Sequence, residues 1–272
     1  MVSKLDKKFL KIIIIIFIII STILYAYRIY LNNFHNHSEM NLIHNRKFKN
    51  HVVFYPQHQD DEILWAGSAI ISAINQCGND NVYIVLVSDG SGVNVFNTNT
   101  KLKELSLKEK VEFRNNEFKA ALNQIGIKKE NIIILSDIDN TKGSHYDLME
   151  KIMLEFENRF DSITHIAHHY EFDDHIMHRK NGQVLKKLYK SHKIKDAMYF
   201  IKPKYKEDIK PKYRVIYEVN NKNDYEKIKR ACYEYKIVDE KNNRFGIGYT
   251  SSHNYFDYLL NDPKFTSILS IY

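Results

Sequence analysis

Two short stretches hold most of the side chains able to do chemistry. The first, "HQDDE" at 58–62, puts an imidazole and three carboxylates into five residues. His58 and Asp61 stand three apart, so on a turn both side chains reach one point while Asp60 lies beside it. Imidazole nitrogen and carboxylate oxygen are ordinary zinc ligands, and a catalytic zinc keeps three protein ligands and one open position. One ligand is then still to be found. The second stretch, "HHYEFDDHIMH", offers His168, His169, Asp173, Asp174, His175 and His178. Helix capping is the competing use of the acidic residues, because carboxylates in a first turn complement the helix dipole. Loop histidines can equally be plain surface residues.

The flanking elements weigh toward the chemical use. "HVVFY" reads as a buried strand before the first stretch, and "ILWAGSAIISAI" reads as a helix after it. The second stretch begins at the end of "SITHIAHH", read as a strand, and runs into "HIMHRKNGQVLKKLYKS", read as a helix. Loops after different strands of a parallel sheet open on the same edge, so segments about a hundred residues apart can meet there. Between them lie the strands "NVYIVLVSDG" and "NIIIL", a helix in "LSLKEKVEFRNNEFKAALNQIG" that stops on Gly126, and a helix in "YDLMEKIMLEFENRF". Strand and helix alternate four times, which predicts an α/β fold with a mainly parallel sheet and helices on both faces. Beyond Ala197 the pattern weakens to strands in "AMYFI" and "YRVIYEV", a helix in "NDYEKIKRACYEY", and an irregular tail.

At 272 residues the chain has room for one α/β domain and little more. Its net charge is +7, but the lysines are scattered and form no compact basic and aromatic stripe, which argues against nucleic acid. Cys77 and Cys232 lack the spacing of a disulfide framework or a cysteine zinc site. The N-terminus divides into a basic tail (1–11), an apolar run (12–27) and a polar stalk (28–50), with the domain over 51–272. The run is somewhat shorter than the ~20 residues of an average spanning helix, and the bulky "YAYRIY" after it offers no cleavage site. An uncleaved membrane anchor is the reading, one N-terminal transmembrane helix ahead of the domain. Lys4, Lys7, Lys8 and Lys11 place the N-terminus in the cytoplasm and the domain outside.

"HQDDE" with "HIMH" resembles the paired signatures of the LmbE/PIG-L family of zinc-dependent de-N-acetylases, H-P-D-D-E and H-x-x-H. "SDG" at Ser88–Gly90, "RNNE" at Arg114–Glu117 followed by "ALNQIG", and Thr164 with His165 extend the resemblance over roughly 51 to 200. Gln59 departs from the usual proline, which loosens the turn without removing a ligand. The resemblance implies a Rossmann-like sheet and removal of acetyl groups from N-acetylglucosamine units of a glycan or glycolipid. It implies Zn2+ bound by His58 and Asp61, Asp60 as general base, and one metal ligand and one catalytic imidazole from "HIMH"; we assign His178 to the metal and His175, protonated and held by Asp173 or Asp174, to the oxyanion.

Chemistry agrees with that division of labour. An acetamide is a poor electrophile, and its hydrolysis needs an activated water, a stabilised oxyanion and a proton for the departing amine. Were His175 the ligand instead, Phe172 would occupy the oxyanion position with no donor to offer. Two other functions compete: an N-acetylglucosaminyl-phosphatidylinositol de-N-acetylase, and a non-catalytic glycan-binding module on the same fold, for which Asp60 would have no use. Of the remaining residues, Glu62 reads as a first-turn carboxylate, Trp65 as core, Arg114 as an ion-pair partner of Glu117, and Tyr170 as an open question near the site.

Overall fold

The computed structural model describes residues 17, 19–28, 43–44, 46–139 and 141–271. Among them the strands are β1 (Ile43–His44), β2 (His51–Phe54), β3 (Val82–Leu86), β4 (Ile132–Ile134), β5 (Ile163–His168), β6 (Ala197–Ile201), β7 (Arg214–Tyr217), β8 (Val238–Asp239), β9 (Arg244–Phe245) and β10 (Ser267–Ser270). The longer helices are α1 (Asp61–Cys77), α2 (Leu107–Ile125), α3 (Tyr146–Arg159), α4 (Ile176–Lys190), α5 (Lys222–Glu234) and α6 (Ile247–Leu260). Eight strands form one sheet in the order β1-β7-β10-β6-β5-β2-β3-β4, and β8 and β9 pair separately.

The order explains where the two reactive stretches end up. From β2 the chain moves through β3 to β4 in one direction, whereas β5 and β6 extend the sheet in the other. The reversal falls between β2 and β5, which pair in parallel with Phe54 opposite Ile166. Right-handed crossovers then require helices on opposite faces. Ile63 and Leu64 of α1 and Phe118 and Leu122 of α2 pack on Phe54 and Ile84. On the other face Met149 and Met153 of α3 and Leu185 and Leu188 of α4 pack on Val53 and Val85. Strands covered on both sides have no polar face to show, hence their unbroken apolar runs.

Helix α2 is bounded as its sequence demands. Ser106 accepts from the Glu109 amide while the Glu109 carboxylate accepts from the Ser106 amide, and Gly126 ends the helix at φ 91°.

Two expectations are revised. The irregular tail is instead helix α6 and strand β10, and β10 lies inside the sheet, antiparallel to both β6 and β7. Four residues with serines at both ends are too few for an alternation signal. Of the expected stalk, residues 43, 44 and 46–50 lie with the domain: β1 pairs with β7, and the Phe48 ring stacks on Tyr217 at 4.9 Å. The spanning helix expected over 12–27 falls partly outside the described residues, and among the described residues no helix is long and apolar enough to cross a membrane. Residues 19–28 are helical, and residues 12–16 and 18 lie outside the described residues.

One glycine fixes how α4 meets the sheet. A Cβ on Gly182 would lie 2.1 Å from the His168 carbonyl oxygen and 2.7 Å from the Tyr170 nitrogen, both backbone atoms that no rotamer change can move. Alanine would favour the helix by ~1 kcal/mol, but overpacking of this kind costs ~1–3 kcal/mol. Gly182→Ala should therefore lower the urea midpoint of unfolding; an unchanged or raised midpoint would mean that α4 can move off the strand end freely.

Candidate active site

The turn after β2 and the loop after β5 meet because their strands are neighbours. Tyr55 continues the pairing, its amide donating to the Ile166 carbonyl at 2.8 Å. Asn181 of α4 then ties the two loops together, receiving the His168 amide on its Oδ1 and donating Nδ2 to the Tyr55 carbonyl, each at 3.1 Å. A cleft of about 700 Å3 opens at this edge, lined by His58, Asp60, Asp61, His175 and His178 among others.

Three donor atoms converge there. His58 Nδ1 lies 3.1 Å from His178 Nε2 and 3.3 Å from Asp61 Oδ2, and the last two are 3.2 Å apart. Ligands 2.0–2.1 Å from a tetrahedral centre stand roughly 3.3 Å apart, so this triangle has the size of a metal site's face. His168 and His175 lie close enough to offer alternatives, in the groups Asp61, His168, His178 and His58, His175, His178. His168 is the poorer donor, because its Nε2, 3.3 Å from Asp61, already accepts the Gln57 amide at 3.1 Å. Its Nδ1 is buried with no partner among the described residues.

Each atom of the triangle is held from behind. The Trp65 indole donates to Asp61 Oδ1 at 2.9 Å, across one helical turn, and this fixes the carboxylate plane. Asp173 Oδ2 lies 3.0 Å from His178 Nδ1, so a proton is held on that nitrogen and Nε2 is the nitrogen turned to Asp61 and His58. Lys202, just after β6, holds Asp173 at 3.0 Å and Asp174 at 2.7 Å. Burial works to raise the Asp61 carboxyl, but His178 and His168 outweigh it and hold it well below the usual range. Burial likewise opposes charge on His178, yet Asp61 and Asp173 hold it up to about 9. A field that retains a proton so firmly is the field a bound cation needs.

Asp60 is set apart from its neighbours. It precedes α1 but makes no side-chain cap, and its φ of 118° is a strained conformation for a residue with a side chain. Burial raises its carboxyl to about 7, with Arg114 pulling the other way. Arg114 is almost fully buried and sits 3.2 Å from Asp60 Oδ2 and 3.4 Å from Glu117 Oε2. Its expected pairing with Glu117 is there, and so is a contact with Asp60 that the sequence did not suggest. Ser252, at a kink in α6, also lies on Asp60 Oδ2 at 3.4 Å. Both donors use one oxygen, and among the described residues none donates to the other.

His175 departs from its expected environment. Its ring centroid is 4.9 Å from that of His58 and 4.7 Å from that of His178, so it stands beside the triangle. Neither Asp173 nor Asp174 holds the ring. Asp173 Oδ1 accepts the His175 backbone amide instead, and Asp174 is engaged by Lys202 and Lys204. Burial, then the charges of His178 and His58, lowers its pKa to about 4. The imidazole is therefore neutral at ordinary pH, not protonated. Its Nδ1 accepts the Met177 amide, so the proton resides on Nε2.

Sequence reasoning missed several of these contacts. Trp65 four residues after Asp61 on a helix was a readable signal. Lys202 and Ser252 were not, since nothing local marks a residue whose partner lies 28 positions away on another strand's loop, as for Lys202 and Asp174, or 192 positions away, as for Ser252 and Asp60.

Residues 52–189 match the GlcNAc-PI de-N-acetylase family, PIG-L. No curated protein matches the chain in sequence. Among solved structures, the N,N'-diacetylchitobiose deacetylase of Pyrococcus horikoshii is 15% identical, with a TM-score of 0.51 over 76% of each chain. A deacetylase of the teicoplanin biosynthesis pathway is 13% identical, with a TM-score of 0.53 over 80% of this chain and 97% of its own. A triple mutant of a deacetylase from that pathway gives 0.51 at 13% identity, over 81% and 96%. At these identities the likeness is one of fold.

The Asp173 contact is open to direct measurement. In metal-free protein, Asp173→Asn removes a negative charge from beside His178 and should bring its titration down from about 9 toward the ordinary histidine value. Histidine ring signals followed by NMR across pH would show it. A midpoint that stayed near 9 would assign the elevation to Asp61 alone.

Proposed function

The chain belongs to the PIG-L family of GlcNAc-PI de-N-acetylases, and we propose that it is a zinc-dependent hydrolase that removes the N-acetyl group from an N-acetylglucosamine-type residue of a glycan or glycolipid. The observation that carries this reading is the triangle of His58, Asp61 and His178 donor atoms, 3.1–3.3 Å on a side, with Asp60 next to it in an open cleft.

A zinc ion held by these three residues would lower the pKa of a bound water to ~7 and polarise the acetamide carbonyl. The remaining work falls to the chain's own groups. Asp60, with its pKa near 7 and one oxygen free, accepts the proton of the attacking water and returns it to the departing amine. Arg114 and Ser252 keep that carboxylate from rotating. His175 donates its Nε2 proton in a hydrogen bond to the developing oxyanion, which a neutral imidazole does as long as Nδ1 remains an acceptor. The family description supports N-acetylglucosamine as the acetylated unit, as does the deacetylase of N,N'-diacetylchitobiose among the proteins of similar fold.

The test is acetate release from a panel of N-acetylated saccharides and glycolipids, with zinc determined by elemental analysis on the same samples. Purified protein should carry about one zinc per chain. Asp60→Asn should keep the metal and lose roughly 10²–10⁴-fold in rate. His178→Ala should lose zinc, whereas His175→Ala should retain it and turn over ~10²–10³-fold more slowly. Activity unaffected by metal removal would end the metal-hydrolase reading, and zinc lost from His175→Ala but kept in His178→Ala would exchange the two roles.

A further inference from the structure

A second cavity, about 720 Å3, lies against α4 and the start of β6. It is as large as the catalytic cleft, and the loop after β5 connects the two: Tyr170 lines this groove, and Asp174, four residues on, lines the cleft. Its walls are basic and aromatic. Lys186 and Lys190 stand one turn apart on α4, and Lys195 follows before β6. Glu171 is the acidic residue among those lining it.

The positive charge here is not used up within the fold. Lys187, on the neighbouring face of α4, forms an ion pair with Glu150 at 2.8 Å, and Lys195 lies 3.6 Å from Glu157. Among the described residues Lys186 and Lys190 have no carboxylate partner within 4.0 Å. The Lys186 ammonium instead rests 3.4 Å from the centroid of the Tyr170 ring, whose neighbour His169 stacks on it at 4.3 Å. Burial and the proximity of Lys190 both disfavour charge on Lys186.

Tyr199 adds an independent sign. It lines the groove while only 2% exposed, and among the described residues its hydroxyl has no hydrogen-bond partner. A phenol placed on the groove wall can donate to a ligand there. Tyr189, 38% exposed, presents an open ring at the same place.

We propose that this groove is a second binding site, for an anionic saccharide: Lys186 and Lys190 take a phosphate or carboxylate group, Tyr199 donates its hydroxyl proton to the same ligand, and the Tyr189 ring covers a sugar face. The concave shape suits a discrete sugar-sized ligand, where a bilayer surface would need a flat or convex one. The site is separate from the cleft, so its test does not depend on amide hydrolysis.

Glucose 1-phosphate is the probe, because it carries no acetamide for the catalytic cleft. Titrated into the full chain and followed by calorimetry, it should bind saturably, and at least tenfold more tightly than glucose or inorganic phosphate alone. The double variant Lys186→Gln, Lys190→Gln should weaken it tenfold or more, and Tyr199→Phe severalfold, with acetate release from a neutral N-acetylated saccharide unchanged. Binding that survives the double variant would overturn the proposal. So would equal affinity for inorganic phosphate, which would mark an anion site with no place for sugar. Loss in the double variant of binding to phosphatidylglycerol vesicles, with no binding of the sugar phosphate to the parent chain, would overturn it in favour of a lipid surface.

Discussion

The parallel pairing of β2 with β5 is the constraint on which the site depends. Phe54 opposite Ile166 sets where each strand ends, and the ends set where His58, Asp61 and His178 can reach. Because a strand's side chains alternate faces, a slip of one residue would exchange the buried sets of the whole strand. Val53 and Phe54 pack into different cores, so such a slip would misplace both. Asn181 then bonds to both strand ends at once, and Gly182 lets α4 approach closely enough for it to do so. The distances inside the triangle are thus consequences of hydrophobic packing several residues away.

Such packing also buries charge, and the way this charge is balanced supports the proposed division of roles. Asp60 and Asp61 are adjacent in sequence and both buried, yet one is pushed up to about 7 and the other is held well below the ordinary range. Burial acts on both. Asp61 faces imidazoles on several sides and Asp60 faces a single guanidinium, and this difference in company decides which carboxylate remains an anion and which can exchange a proton. Two neighbouring groups with titrations driven apart are the usual arrangement for dividing ligand and base between them.

The features legible in the sequence were those with a local signature. "HVVFY" and "SITHIAHH" as strands, the Ser106 to Gly126 helix, and the spacing of His175 and His178 around a helix start all rest on periodicity or caps within twenty residues. His58, Asp60 and Asp61 were placed together because a strand-to-helix turn brings them together whatever else the chain does. Contacts made by the last third of the chain were hidden. Lys202 reaches Asp173 across the sheet, and Ser252 reaches Asp60 only because α6 is kinked. The protonated form expected for His175 is disfavoured by burial first and then by its imidazole neighbours, and the carboxylate thought to support it turns to His178.

Strand β10 bears on the order in which the molecule can be made. It is inserted between β6 and β7, and its Ser267 hydroxyl accepts the amide of Ser68, 199 residues earlier. A ribosome delivers β2 through β6, with both reactive loops, well before it delivers residues 267–270. Until then β6 has one open edge of unpaired amides and carbonyls, and β7, paired with β1, has no link to the rest of the sheet. Closing a contact across so long a stretch is slow relative to local structure. The nascent chain therefore passes through a stage with both reactive loops in place and one sheet edge bare, until residues 267–270 seal it.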